Sequence, residues 1–281
     1  MARSNTSAAK RARTDAAPRA KSIDSAFRFK SAERDGKASE YHVLGPGIIC
    51  DTEARGRKTP GGRNLTEIVL DASNGFIPLW DQEVTLQWRF QERSLEVFEN
   101  PEAAKAAIEA LLGEAIVKWG DAAPVRFNKD DDAWDFEVVV RPADNCNAAG
   151  CVLASAFFPG AGQEKLFIYP KMFEQSHKEQ VDTLIHEIGH TFGLRHFFAD
   201  VREAGFPSVK FGTHCPFSIM NYGEMSELTA ADKSDLKRLY EKVWSGELTK
   251  INETPIRLMK PFHATGSPPD SLVAAGKLRI H

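Results

Sequence analysis

His186, Glu187, His190 and His196 stand in the run His186-Glu187-Ile188-Gly189-His190-Thr191-Phe192-Gly193-Leu194-Arg195-His196. Two histidines four apart on a helix lie only about 40° apart around its axis and roughly 6 Å apart along it, so their imidazoles converge on one ion. Zinc accepts nitrogen donors at about 2.0–2.1 Å, and a catalytic zinc site uses three protein ligands and leaves one position for water. If the helix simply continued, His196 would lie roughly 15 Å from His186 along the axis. The chain must therefore turn back, and Gly193 stands where a left-handed residue ends a helix and permits that turn. Glu187, next to the first histidine, is placed beside a metal-bound water, whose pKa zinc lowers toward about 7, and can take its proton. The expectation is one catalytic Zn2+ held by His186, His190 and His196, with Glu187 as general base and a carbonyl carbon as the point of attack.

Coincidence is a poor account of this run. With ordinary residue frequencies a match at its five fixed positions is expected in roughly a few in 100,000 chains of this length. A structural zinc site is closed by its protein ligands, which three histidines with an adjacent glutamate do not suggest.

The elements that must position these residues are also legible. Ser176 with Glu179 three residues later is a capping box, and Val181, Leu184, Ile185, Ile188 and Phe192 form the apolar stripe of the helix that follows. Asn100 caps a second helix with Pro101 at its first position, and Ile108, Leu111, Leu112, Ala115 and Trp119 recur at helical spacing until Gly120. Thr229 with Asp232 opens a third helix, with Leu236, Leu239, Tyr240 and Val243 on one face, ending near Gly246. Strict alternation over Val84–Phe90 predicts a half-buried strand, and Val125–Phe127, Phe136–Val140, Val152–Phe157 and Leu166–Tyr169 are shorter strand candidates. A strand, a long helix and further strands predict an α/β sheet packed on a helix.

The extended histidine motif, followed by Ser218-Ile219-Met220-Asn221-Tyr222, resembles the metzincin metallopeptidases, in which a methionine-containing turn floors the zinc. Met220 matches that methionine. WGDAAPVRF from Trp119, the Phe136–Val140 strand, VLASAFFPG and LTAADKSDLKRLY look like matrixin or serralysin-like catalytic domains, so the resemblance covers roughly residues 76–246. It implies an α/β (α+β) domain with a twisted mixed sheet, a long backing helix, an active-site helix and a C-terminal helix. It also implies a zinc-dependent endopeptidase whose extended polypeptide substrate docks along the VLASAF edge by β-augmentation. By the same resemblance Tyr222 steadies the oxyanion of the tetrahedral intermediate; on physical grounds alone a packed tyrosine is as ordinary.

The departures from that pattern matter. Phe197 follows the third histidine where matrixins usually carry serine. No histidine stands between His42 and His177, and Ser155 occupies the place of a ligand histidine, so the family's second, structural zinc is not expected. Asp130, Asp131 and Asp132 could bind Ca2+, but read more simply as turn carboxylates. Cys50 and Asp51 lie upstream of the core, where some metzincins carry a latency residue; the family's switch sequence is absent, and Ile48 and Ile49 favour a buried strand cysteine. A non-catalytic peptide-binding module on the same scaffold, or hydrolysis of a non-protein amide such as a cell-wall crosslink, are the rival readings.

With 281 residues, 42% of them hydrophobic, the chain can fill one sizeable core. Its net charge of −3 gives no pull toward nucleic acid or anionic membrane, and no apolar run is long enough to span a bilayer, so neither is expected as a partner and a monomer is. Residues 1–25 read as a disordered basic tail without the apolar region of a secretory signal, which makes the cytoplasm the default compartment and non-classical secretion the other route. Residues 26–75 read as an N-terminal extension, 76–246 as the catalytic domain and 247–281 as an irregular tail. Cys146 and Cys151 are close enough to close a small loop under oxidising conditions.

Overall fold

A computed structural model describes residues 25–30, 42–45, 47–50, 68–72, 75–148, 150–160, 162–196, 208–211, 218–220 and 226–265. In chain order β1 (His42–Gly45), β2 (Gly47–Cys50) and β3 (Ile68–Asp71) come from the extension. The body follows with β4 (Ile77–Trp80), β5 (Thr85–Phe90), the single turn α1 (Glu92–Leu95), α2 (Pro101–Trp119), β6 (Arg126–Lys129), β7 (Phe136–Val140) and β8 (Asn145–Asn147). Then come β9 (Gly150–Val152), β10 (Ala154–Ser155), β11 (Glu164–Ile168), α3 (His177–Thr191), β12 (Leu194–Arg195) and β13 (Ser208–Phe211). Last are α4 (Ala230–Trp244), β14 (Lys250–Ile251), β15 (Thr254–Met259) and α5 (Phe262–Thr265).

Alternation in β5 puts Leu86, Trp88 and Phe90 into the core, as a period of two requires. Its sheet runs β10-β11-β7-β5-β6, parallel throughout except for the antiparallel β10–β11 pair. The Asn100 side chain accepts from the Ala103 N–H and starts α2, whose Ile108, Leu111, Leu112, Ala115 and Trp119 are all buried. A cap is worth about 1 kcal/mol and each large buried side chain about 1.5–3, so packing rather than the cap anchors this helix. α2 and α3 share one core with the sheet, which gives the mixed α/β arrangement of long backing helix, motif-bearing helix and C-terminal helix.

Two segments differ from the sequence reading. Val152–Phe157 is not one strand: the ladder breaks at Leu153, whose carbonyl accepts from the Tyr169 N–H at 2.9 Å. β9 consequently joins a separate sheet of order β1-β2-β9-β8. Residues 247–265, the described part of the segment read as an irregular tail, are not irregular either, because β14 and β15 form a hairpin and β15 lies parallel to β4 from Ile256↔Ile77 to Met259↔Trp80. Every side chain of β15 is half-buried or exposed, so backbone pairing holds it and no apolar periodicity announces it. Beyond it the His263 N–H and ring Nδ1 meet the buried Asp135 carboxylate at 2.9 and 2.8 Å.

Candidate metal centre

α3 begins where the Ser176 capping box closes, with the Glu179 side chain accepting from the Ser176 N–H. It ends at Phe192, and Gly193 follows at φ +91°, a conformation that glycine adopts readily and L side chains do not. The Gly193 N–H returns to the His190 carbonyl at 2.9 Å. Two further carbonyls at this helix end would be orphans, and side chains from distant elements satisfy them. The Trp80 indole N–H donates to the Thr191 carbonyl at 2.6 Å, and the Tyr240 hydroxyl donates to the Phe192 carbonyl at 3.0 Å. Burial holds the Tyr240 phenol well above its usual range, so it stays a donor. The chain leaves this pinned turn through β12 and delivers His196 to the helix face that bears His186 and His190.

The three imidazoles are buried and face one another. His186 Nε2 lies 3.1 Å from His196 Nε2 and 3.1 Å from His190 Nε2. His186 Nδ1–H donates to the Ile219 carbonyl at 2.8 Å, and His190 Nδ1–H donates to the Leu194 carbonyl at 2.7 Å. With the proton on Nδ1, the Nε2 atoms of His186 and His190 each present a lone pair, and two such lone pairs 3.1 Å apart repel unless a cation lies at their focus. A tetrahedral ion with nitrogen donors at 2.0–2.1 Å spaces them about 3.3–3.4 Å apart, close to what is observed. Burial pushes the His186 imidazole down to about 4, against a smaller opposing effect of the Ile219 carbonyl, so the ring is a neutral donor at ordinary pH. The residues fit a divalent metal with a preference for nitrogen ligands.

Cys50 completes the constellation from the extension. Its Sγ lies 3.7 Å from His190 Nε2 and 3.7 Å from the nearer Glu187 carboxylate oxygen, and the residue is fully buried. Ligand atoms of Cys50, His186, His190 and His196 all fall within 4.8 Å of one another, a group that could hold a metal ion. The sequence reading of a buried strand cysteine thus describes its environment and misses its neighbours, which only the fold brings to it. The carboxylate of Glu187 is buried on the same side of the cluster.

Met220, which the resemblance casts as the floor of the site, is buried against α3. A Cβ on Gly189 would stand 2.6 Å from the Met220 sulfur and 3.3 Å from the Trp119 ring, so any side chain there would force the methionine to shift. Tyr222, Phe197, His214 and His281 lie outside the described residues. His177 pairs with Glu114 at 2.8 Å near the surface and His263 with Asp135, so neither approaches the cluster. Asp130 accepts from the backbone N–H groups of Asp132 and Ala133, as a turn carboxylate does, and these bonds hold its carboxyl below the usual range. Arg195 is buried with its guanidinium 5.7 Å from the Phe158 ring centroid, and the same ring meets His190 edge-on at 5.6 Å. No helix among the described residues is long and apolar enough to cross a membrane.

Residues 79–204 match the matrixin family model, a span running from β4 past His196. A structure of myroilysin aligns at 14% identity with a TM-score of 0.41, covering 61% of this chain and 98% of that one. A second, crystal structure of myroilysin aligns at 14% identity and TM-score 0.37, covering 66% and 92% respectively. High choriolytic enzyme 1, a hatching enzyme zinc-protease from Oryzias latipes (medaka fish), aligns at 15% identity and TM-score 0.35, covering 61% and 92%. No curated protein matches.

Proposed function

We propose that this chain, a metzincin-like protein matching matrixin over residues 79–204, is a zinc-dependent endopeptidase. The observation that carries the reading is the convergence of three imidazole Nε2 atoms beside a buried carboxylate. His186, His190 and His196 would hold the ion. When bound, zinc would acidify a water and polarise the scissile carbonyl. Glu187 would accept a proton from the attacking water and later return it to the leaving amine, a role suited to a carboxylate one residue from a ligand. Tyr222 is assigned the developing oxyanion. The substrate is an extended polypeptide. β2 lying along β9 supports this, since it is an extended segment already added to the edge that continues into β10.

Cys50 gives this reading a further part. A Cys50 thiolate that joined the three histidines on an ion would take the place of the attacking water, so the form described is assigned as latent, with residues 47–50 as the inhibitory segment. The same observation favours a second reading, in which three histidines and a cysteine make a permanently closed site on a non-catalytic binding module. The Cys50→Ala full-length protein separates the two. Latency predicts that it cleaves unfolded casein faster than the parent, loses activity to a chelator and regains it with zinc, whereas Cys50→Ala combined with Glu187→Ala binds zinc and is inactive. A zinc-loaded Cys50→Ala protein that cleaves nothing in a panel of unrelated unfolded proteins favours the closed module. Casein cleavage retained after Glu187→Ala removes the assigned base.

A further inference from the structure

The bond Cys146–Cys151 crosslinks β8 to β9, in a hairpin paired Asn145↔Val152, Cys146↔Cys151 and Asn147↔Gly150. Cys146 is exposed and Cys151 half-buried, whereas Cys50 is fully buried. A soluble thiol therefore reaches the disulfide and not the cysteine at the metal centre. The two are nonetheless mechanically joined, because β2 rests on β9 in the register Gly47↔Gly150, Ile48↔Cys151 and Ile49↔Val152. Val152 has its own anchor, being fully buried against Tyr169. Gly150 and Cys151 lie toward the hairpin turn, where β8 is the other neighbour of β9, the Asn147 side chain accepts from the Gly150 N–H, and the disulfide sets the spacing. Two of the three pairs that place β2 thus depend on the crosslinked part of β9. Cys50 is the residue directly after the last of them.

We propose that Cys146–Cys151 is a redox control on the Cys50 segment: closed, it keeps β9 ordered as the platform for β2; opened, it lets β2 leave and withdraws Cys50 from the histidines. The proposal rests on the latency reading above. The co-reactant is a dithiol. One of its thiolates attacks Cys146 Sγ, the sulfur–sulfur bond breaks, and Cys151 departs as a thiolate that takes up a proton. The second thiol of the reductant then displaces Cys146, which leaves as a thiol, so that two electrons and two protons pass to the protein and the reductant departs as a disulfide. A platform freed of its crosslink samples open states more often, since a short loop no longer has its ends tied.

The test is the alkylation rate of Cys50 by iodoacetamide, read on its own peptide by mass spectrometry, in full-length zinc-loaded protein with and without Cys146→Ser and Cys151→Ser together. The expected result is alkylation about tenfold faster in the double variant, with hydrogen exchange of the α3 amides unchanged. A rise below about threefold overturns the proposal, and so does a faster rate accompanied by loss of α3 protection, which marks general unfolding. The underlying reading is tested apart from this by the activity of the Cys50→Ala protein. An inactive Cys50→Ala protein beside a tenfold alkylation response removes the peptidase and leaves the redox control in place.

Discussion

Gly193→Ala tests whether the turn after α3 sets the three-histidine cluster. At φ +91° an alanine lies well outside the left-handed well that L residues tolerate, at a cost of roughly 1–2 kcal/mol. Its Cβ would also stand 3.1 Å from Leu79 Cδ2 and 3.2 Å from the Pro78 carbonyl, where the second neighbour is backbone and yields little. These crowded contacts add about 1 kcal/mol, so the expected total is about 2–3 kcal/mol, or roughly 30- to 150-fold in an equilibrium constant. Where that energy goes is informative. If the turn holds, the apo protein loses the full amount in a denaturant titration and zinc affinity is unchanged. If the turn relaxes instead, His196 moves, stability falls less, and affinity for zinc in a chelator competition weakens by the remainder. The two losses should sum to about 2–3 kcal/mol in either case. A variant whose stability and zinc affinity both stay within about 0.5 kcal/mol of the parent refutes the reasoning, since the left-handed turn would then be dispensable.

Gly189→Ala, by the 2.6 Å approach to the Met220 sulfur, should destabilise the protein by about 1–3 kcal/mol, and Met220→Ala in the same chain should recover part of that loss in thermal unfolding. Tyr240→Phe leaves the Phe192 carbonyl without its donor and the Trp80 N–H without its acceptor; denaturant unfolding should show a loss of about 1–3 kcal/mol, and zinc competition should show weaker binding because the same carbonyl borders the turn to His196. His190→Ala should abolish stoichiometric zinc binding measured by metal analysis after gel filtration, whereas Glu187→Ala should retain it; equal metal content in the two would undo the assigned roles.

The site was legible from sequence to the extent that its geometry is local. His186 and His190 are one helical turn apart, and the capping box at Ser176 fixes where that helix starts, so periodicity alone brings the two rings together. His196 was reachable because a glycine at the right offset is a strong conformational signal. The supports of the turn were not legible, since Trp80 and Tyr240 act on backbone carbonyls 111 and 48 residues away, and a carbonyl carries no residue identity that a pattern could pair with them. β15 was missed for a related reason: main-chain bonds to β4 hold it, and these ask nothing of the side chains.

Cys50 is the instructive case, because its sequence context and its position point the same way for different reasons. The pair Ile48 and Ile49 marks a strand, and strands bury cysteines. What sequence lacks is the direction and register in which that strand docks, and here both are set by backbone pairing with β9. Parallel pairing from Gly47↔Gly150 carries the chain forward so that the residue after Ile49↔Val152 arrives among the histidines. A slip of one residue would turn the strand over and direct Cys50 to the opposite face. The thiol's contact with the histidine cluster is therefore a property of the β2–β9 register, and whatever loosens that register loosens the contact, with no change needed in any of the three histidines.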